Sequence, residues 1–144
     1  MAMASMALMS LKRMASISSA SIWAIRVIRE GWKMRVYISG PITGIDRDEA
    51  LRSFARAEMY VRIITDDPCA EMINPLKVGR VLEQNANLRH EDYMKISFAL
   101  MDICDTVYFM QGWEHSKGCA EEWIYAHNTN MHIIEHDKEW RVEK

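Results

Sequence analysis

The amino-acid sequence predicts a small α/β domain in which helices cover both faces of a parallel sheet. From Met34 onward, short β-branched and aromatic runs alternate with amphipathic helical stretches. That alternation is typical of parallel strands joined by right-handed helical crossovers. The 144 residues suit one domain, and the hydrophobic fraction of 49% is that of a globular protein. We therefore expect a doubly wound, flavodoxin- or Rossmann-like sandwich with a four- to five-stranded parallel sheet.

The first strand is predicted at residues 34–39, MRVYIS, and the turn GPITG at 40–44 ends it. A helix is predicted to follow, beginning at Asp46 or Arg47 and ending at Thr65. An aspartate at the start of a helix is a preferred cap. Apolar residues recur along this helix at helical spacing and form one face: Leu51, Phe54, Ala57, Val61 and Ile64.

The second half of the domain continues the alternation. The remaining predicted elements are a strand at 71–75, a helix at 90–104, a strand at 106–110, a helix at 119–128 and a strand at 131–136. For residues 76–89, the sequence permits either a short helix or a loop, and both alternatives remain. Ligands of such sheets bind at the carboxyl ends of the strands, so the site is expected in GPITG, in the segment after Asn74, and in QGWEHSKG.

Residues 1–33 differ in composition from the rest of the chain and are excluded from the predicted fold. They are rich in Met, Ser and Ala, and their ionised side chains are mostly basic. Three interpretations compete: translation that begins at Met34, a disordered or partner-bound arm, and an organelle import signal. The predicted domain is then residues 34–144, with its compact part ending near residue 135.

The charge and the cysteine pattern exclude several classes of protein. A total of 18 Lys and Arg against 20 Asp and Glu gives a net charge of −2, so sequence-specific nucleic-acid binding is not expected. No apolar run approaches the ~18 residues of a membrane span. Three cysteines without a CxxC pair and five scattered histidines predict neither a disulfide framework nor a metal site. We expect a cytoplasmic protein with no membrane partner.

The loop GPITG argues against a large nucleotide cofactor. It lacks the glycine spacing of a dinucleotide-binding loop and the GK[ST] of a P-loop, so no cofactor is predicted. Gly40 has two interpretations: it lets a ligand approach the backbone, or it belongs to a plain strand-to-helix turn.

The loop QGWEHSKG leads into a helix whose start favours anions. Ser116 and Lys117 stand beside a helix N-terminus opened by Gly118, where free N–H groups and the macrodipole attract negative charge. Alternatively, Ser116 only caps the helix. Three neighbours also have two interpretations each: His115 as a phosphate contact or an incidental histidine, Trp113 as a base-stacking ring or a cover for the sheet edge, and Cys119 as a reactive or an inert thiol.

Two glutamates, Glu121 and Glu122, follow in the first turns of this helix. Their simplest role is to complement the helix dipole. Glu122 lies one turn from Gly118 and from Ala126, both small, and is therefore expected to point along a crowded edge of the cleft. Glu121 points about 100° away and is expected to face solvent.

Four blocks of sequence carry a resemblance to a known family: YISGPITG, INP, EDYMKISFALMDICD and GWEHSKGCAEEWIYA. Together they resemble the nucleoside 2-deoxyribosyltransferase-like superfamily, and within it the small DUF4406 proteins of bacteria and their phages. The resemblance covers residues 34–135. It implies a five-stranded α/β sandwich that cleaves or exchanges the N-glycosidic bond of nucleosides or their 5′-monophosphates. It implies that Glu122 is the nucleophile and that Tyr37 and Gly40 line the sugar and base pocket.

Two positions depart from the superfamily pattern. Transferases acting on free nucleosides carry an Asp six residues before the nucleophile, whereas this chain has Ser116, as do the monophosphate hydrolases. A hydroxyl at a helix start accepts phosphate where a carboxylate repels it, so a nucleotide is favoured over a nucleoside. Many members also carry an Asp where this chain has Ser97. Without that acid, the protein is expected to be slow, altered in substrate, or only a nucleotide binder.

Three functions therefore remain open from the sequence. They are an N-glycosidase or deoxyribosyltransferase acting on a nucleotide, a non-catalytic nucleotide-binding module, and a phage or mobile-element accessory protein acting through protein contacts. A homo-oligomer, at least a dimer, is expected in each case. Its contact is predicted on the second apolar face of the helix at 90–104: Ile96, Leu100 and Ile103.

Overall fold

The structure is a computed structural model that describes residues 33–78 and 87–136. Its elements are β1 (Arg35–Ser39), α1 (Arg47–Thr65), β2 (Glu71–Ile73), α2 (His90–Asp102), β3 (Thr106–Phe109), a 3-10 turn (Trp113–His115), α3 (Lys117–Asn128) and β4 (His132–Glu135). One further helical turn lies at 75–78. The four strands form one sheet in the order β2-β1-β3-β4, and every pair is parallel. The predicted fold class is confirmed.

The element boundaries differ from the predictions at a few positions. The helix predicted at 90–104 ends at Asp102. The last helix begins at Lys117 and not at 119, because the Ser116 side chain accepts a hydrogen bond from the N–H of Cys119 and caps the helix there. Residues 1–32, 79–86 and 137–144 lie outside the described residues. Most of the predicted N-terminal extension and most of the open segment at 76–89 therefore receive no structural account.

β1 is the central strand and supplies both faces of the core. Val36 and Ile38 pack toward α1 together with Phe54 and Val61, and all of these side chains are fully buried. Tyr37 lies on the opposite face, in the cluster covered by α2 and α3. Alternate residues of a strand point to opposite faces of a sheet, so Ser39 shares the α3-facing side with Tyr37.

The topology determines where a cleft forms. From β1 the chain passes through α1 to β2 on one side, and it later returns through α2 to β3 on the other side. The connections therefore diverge at the carboxyl ends of β1 and β3, and such a switch point leaves a crevice in doubly wound sheets. None of the helices in the described ranges is both long and apolar enough to cross a membrane.

One polar atom in the core predicts a stabilising substitution. Thr106 is fully buried at the start of β3, and its Oγ1 has no hydrogen-bond partner within the described part of the chain. Thr106→Val keeps the shape and removes a hydroxyl whose burial is uncompensated. We expect its free energy of unfolding to rise by about 1 kcal/mol in urea denaturation followed by circular dichroism.

The matched control for this prediction is Thr65→Val. The Thr65 hydroxyl donates to the Val61 carbonyl at 2.6 Å, so the same substitution removes a formed hydrogen bond. We expect this variant to be less stable than the wild type by about 1 kcal/mol. If Thr106→Val destabilises the protein as much as Thr65→Val does, the Thr106 hydroxyl has a partner that the described residues do not supply.

Candidate active site

A cleft of about 880 Å³ lies at the carboxyl end of β1, and Pro75 and Leu76 after β2 also line it. One wall is the loop after β1 together with the start of α1, and its apolar lining residues include Pro41, Ile42, Ile45 and Leu51. The facing wall is the first two turns of α2 together with the N-terminus of α3. The described lining residues include four basic or potentially basic side chains: Arg47, His90, His115 and Lys117.

Glu122 contributes a buried carboxylate to this cleft. It lies on α3 and is only 6% exposed, yet it is one of the lining residues. The Tyr37 hydroxyl donates to its Oε1 at 2.7 Å, and the Ser39 hydroxyl donates to its Oε2. Each carboxylate oxygen therefore has its own donor from β1. We call these two donors, with Ser97 described next, the hydroxyl cage.

Ser97 adds a third hydroxyl from the opposite wall. It lies on α2 and lines the cleft. Its hydrogen bonding lowers the pKa of both Glu122 and Tyr37. The residue that replaces the expected Asp therefore acts on the carboxylate of Glu122. Among the described hydrogen bonds, those of the two β1 hydroxyls reach the carboxylate, and Ser97 lines the cleft on α2.

Burial and the hydroxyl cage act on Glu122 in opposite directions. Loss of hydration raises the pKa of the Glu122 carboxyl, and the hydrogen bonds from Ser39, Tyr37 and Ser97 lower it without cancelling the rise. Burial, followed by the adjacent Glu122 charge, raises the pKa of Tyr37 well above its ordinary value. Tyr37 therefore stays a neutral hydrogen-bond donor at physiological pH.

The structure places five of the predicted site residues on the cleft surface and one, Tyr37, beneath it. Gly40, Ser97, Ser116, Gly118 and Glu122 all line the cleft. Tyr37 is not among the described lining residues, because its side chain is fully buried and its hydroxyl meets the site through Glu122. The reason is that Tyr37 lies within the central strand, two residues before the strand end where the cleft opens.

The two glycines have different structural requirements. A Cβ on Gly40 would stand 2.3 Å from the Met110 sulfur and 3.1 Å from Cζ of Phe54, so packing against the core requires this glycine. Gly40 also lines the cleft, so a ligand approaching the backbone there stays a prediction. A Cβ on Gly118 would meet the Met94 sulfur at 3.7 Å, an ordinary contact. Packing therefore does not require Gly118.

The sequence match agrees with this architecture. A family model described as "Domain of unknown function (DUF4406)" matches residues 34–135, well over half of the chain. The chain belongs to the DUF4406 family. No curated protein matches the sequence. The matched range contains all four strands and every cleft residue of this DUF4406 protein.

Two features of the DUF4406 cleft were not predicted from the sequence. Ser39 was missed, although its position two residues after Tyr37 places both hydroxyls on one face of β1. Glu121 was expected to face solvent and is partly exposed, but its contact with His90 was not predicted: its Oε1 lies 3.0 Å from the His90 Nε2. Both side chains of that pair are partly exposed.

The alternatives for Trp113 and Cys119 are settled by packing. The Trp113 ring stacks on Trp123 with centroids 4.6 Å apart and also contacts Phe109, so it covers the sheet. Cys119 is buried, and loss of hydration raises the pKa of its thiol. A raised thiol pKa disfavours the reactive thiolate. Within residues 33–78 and 87–136, no group of three or more His, Cys, Asp or Glu side chains could hold a metal ion.

The raised pKa of Glu122 predicts that Glu122→Gln stabilises the DUF4406 fold. A carboxyl with a raised pKa in the folded state contributes stability below its ordinary value of about 4.5, and that stability is lost as the pH rises through the folded pKa. Above that range the wild type buries a charge, whereas Gln buries none. We expect the Tm of Glu122→Gln to exceed that of the wild type near neutral pH, and the difference to shrink toward pH 4.

Glu91→Gln is the matched control for this measurement. Glu91 is exposed in the first turn of α2, so its substitution removes the same charge without changing a buried group. Its Tm is expected to stay at or slightly below that of the wild type. A Glu122→Gln protein that is less stable than the wild type at every pH would contradict the prediction.

Proposed function

We propose that this DUF4406 protein is an N-glycosidase or deoxyribosyltransferase-like enzyme acting on a (deoxy)nucleoside 5′-monophosphate, with Glu122 as the nucleophile. The observation that carries the proposal is a buried carboxylate that lines the cleft while hydroxyl donors hold both of its oxygens. The resemblance of the sequence to the nucleoside 2-deoxyribosyltransferase-like superfamily supports it. A structural carboxylate has no comparable reason to face a cleft of this volume.

The chemistry begins at the anomeric carbon of the sugar. An ionised Glu122 oxygen bonds to C1′ as the C1′–N bond breaks, and the product is a glycosyl ester. Water then attacks C1′ and gives hydrolysis, or a second base attacks it and gives transfer. Tyr37 and Ser39 hold the carboxylate in place through both steps, so the oxygen that attacks needs no reorientation.

The N-terminus of α3 supports a 5′-phosphate on the substrate. Ser116 caps this helix and lines the cleft, and Lys117 follows it in the first turn. Helix N–H groups, a hydroxyl and an ammonium group together favour an anion. The apolar wall that includes Ile42 and Ile45 offers a flat surface for a base on the other side of the cleft.

A non-catalytic nucleotide-binding module is the second candidate. The observation in its favour is the raised pKa of Glu122, because a protonated carboxyl binds a ligand but does not attack it. Such a module would bind nucleotides and release no base. The two functions are therefore separated by an assay for free base combined with a binding measurement.

Self-association is also part of the proposal. Of the predicted contact face, Ile96 lines the cleft and Leu100 packs against the core, whereas Ile103 is 51% exposed. Ile124 on the neighbouring helix α3 is 59% exposed. We expect the contact to include Ile103, so Ile103→Asp should lower the molar mass measured by light scattering at micromolar concentration. An unchanged mass would place the contact elsewhere, and a monomeric wild type would contradict self-association.

Glu122→Gln tests the catalytic proposal directly. Gln keeps the shape of Glu but cannot form the ester intermediate, so turnover should fall by at least about 10³-fold while nucleotide binding by calorimetry is retained. The wild-type rate should rise with pH through a value above 4.5, because the ionised form is the one that attacks and its pKa is raised. Glu91→Gln should retain the wild-type rate. Equal rates for the wild type and Glu122→Gln would exclude the covalent mechanism, and nucleotide binding without release of base by the wild type would favour the binding module.

A further inference from the structure

We infer that the substrate carries a base already bound to the sugar as a cation, such as an N-alkylated purine or a pyridinium ring, which leaves without being protonated. This inference rests on the glycosidase function proposed above and names its substrate class. It follows from the identity of the groups that surround Glu122.

The described part of the cleft holds a single carboxyl group. Retaining glycosidases pair their nucleophile with a carboxylic acid about 5–5.5 Å away, which protonates the leaving group. Among the described lining residues, Glu122 is the one Asp or Glu. The hydroxyl cage occupies its surroundings, and a hydroxyl with an ordinary or raised pKa is a weak proton donor. Burial makes Tyr37 a weaker acid still.

The acidic residues nearest in sequence to Ser97 and Glu122 form contacts with other residues. Asp92 accepts from the backbone N–H of Arg89 at the start of α2. Asp102 accepts from the Tyr125 hydroxyl at the far end of that helix. Glu121 contacts His90 at the rim. None of the three lines the cleft.

The two described histidines of the cleft lie near the N-terminus of α3, where the phosphate is proposed to bind. His115 directly precedes Ser116, the cap of α3. His90 has its Nε2 on Glu121, which lies one turn after Lys117 on the same helix. Both rings therefore adjoin the helix N-terminus where an anion is favoured, and the leaving base lies on the face of C1′ opposite the nucleophile.

The electron balance shows why a cationic base removes the need for an acid. When C1′–N breaks, the bonding pair moves to the ring nitrogen, so a neutral base departs as an anion unless a proton arrives. On an N-alkylated purine or pyridinium ring, the same pair neutralises the positive charge. The Glu122 oxygen meanwhile bonds to C1′, and water later attacks C1′, restores the carboxylate and releases one proton to solvent.

Charge also matches such a substrate to the cleft. A nucleotide with a cationic base is negative at its phosphate and positive at the base and C1′. Lys117 and the N-terminus of α3 line one part of the cleft, and the Glu122 carboxyl group also lines it. Attraction between that carboxylate and the cationic glycosyl group increases as the site excludes water.

The test compares nucleotides that differ by one methyl group. The full chain is incubated with 7-methylguanosine 5′-monophosphate and guanosine 5′-monophosphate, in ribose and 2′-deoxyribose forms, and with nicotinamide mononucleotide. Free base is measured, and Glu122→Gln gives the background. General acids contribute about 10²–10⁴-fold to rate, so the methylated compound should react at least about 100-fold faster than its parent. Ser97→Asp, which places a carboxyl beside Glu122, should speed up the parent compound, and Ser97→Asn should not.

Two results would overturn the inference. Equal rates on the methylated and parent nucleotides would leave the glycosidase function standing and would assign a proton donor to the cleft, with His115→Gln and His90→Gln as the next variants. Rescue by Ser97→Asn as large as that by Ser97→Asp would also refute it, because the amide supplies no proton. Release of base from none of the nucleotides would remove the glycosidase function and this inference together.

Discussion

The position of one buried carboxylate constrains the rest of the structure. Placing Glu122 under the cleft without a cation requires hydroxyl donors at fixed points, since an unpaired buried carboxylate is strongly unfavourable. Two of these donors are Tyr37 and Ser39, so β1 must lie beneath α3 with that face outward. The cap at Ser116 sets where α3 begins, and this start brings Glu122 over the strand. The strand register, the helix start and the site therefore depend on one another.

The burial of Glu122 lowers the stability of the fold when its carboxyl group is ionised. An aliphatic side chain in place of Glu122 would pack against β1 with no charge to bury. The structure retains a carboxyl whose pKa is raised by burial, together with neutral donors that moderate the rise. The hydroxyl cage also makes the site sensitive to its own donors, because each one removed leaves an oxygen of Glu122 less well solvated.

Most of the fold could be predicted from the sequence because its signals are local. Helical spacing from Leu51 to Ile64 and the β-branched run at β1 are read directly from neighbouring residues. The burial of Tyr37 below the cleft could not be predicted. A strand that is buried on both faces has no alternation of polar and apolar residues, so its sequence does not show which side chains reach the cleft. Ser39 was missed for the same reason. The role of Gly40 depends on Met110, a contact made across 70 residues of chain that no local pattern reveals.

Placing two donors on alternate positions of one strand makes the site intolerant of insertions and deletions. A single residue added near the start of β1 would reverse the facing of every side chain after it, because strand side chains alternate with a period of two. The carboxylate would then meet Ile38 in place of its two hydroxyl partners. The loop between β1 and α1 has no regular alternation of side chains, so an added residue there does not reverse the facing of β1. Natural variation in length can therefore accumulate in that loop and alter the shape of the cleft, while β1 itself must keep its residue count.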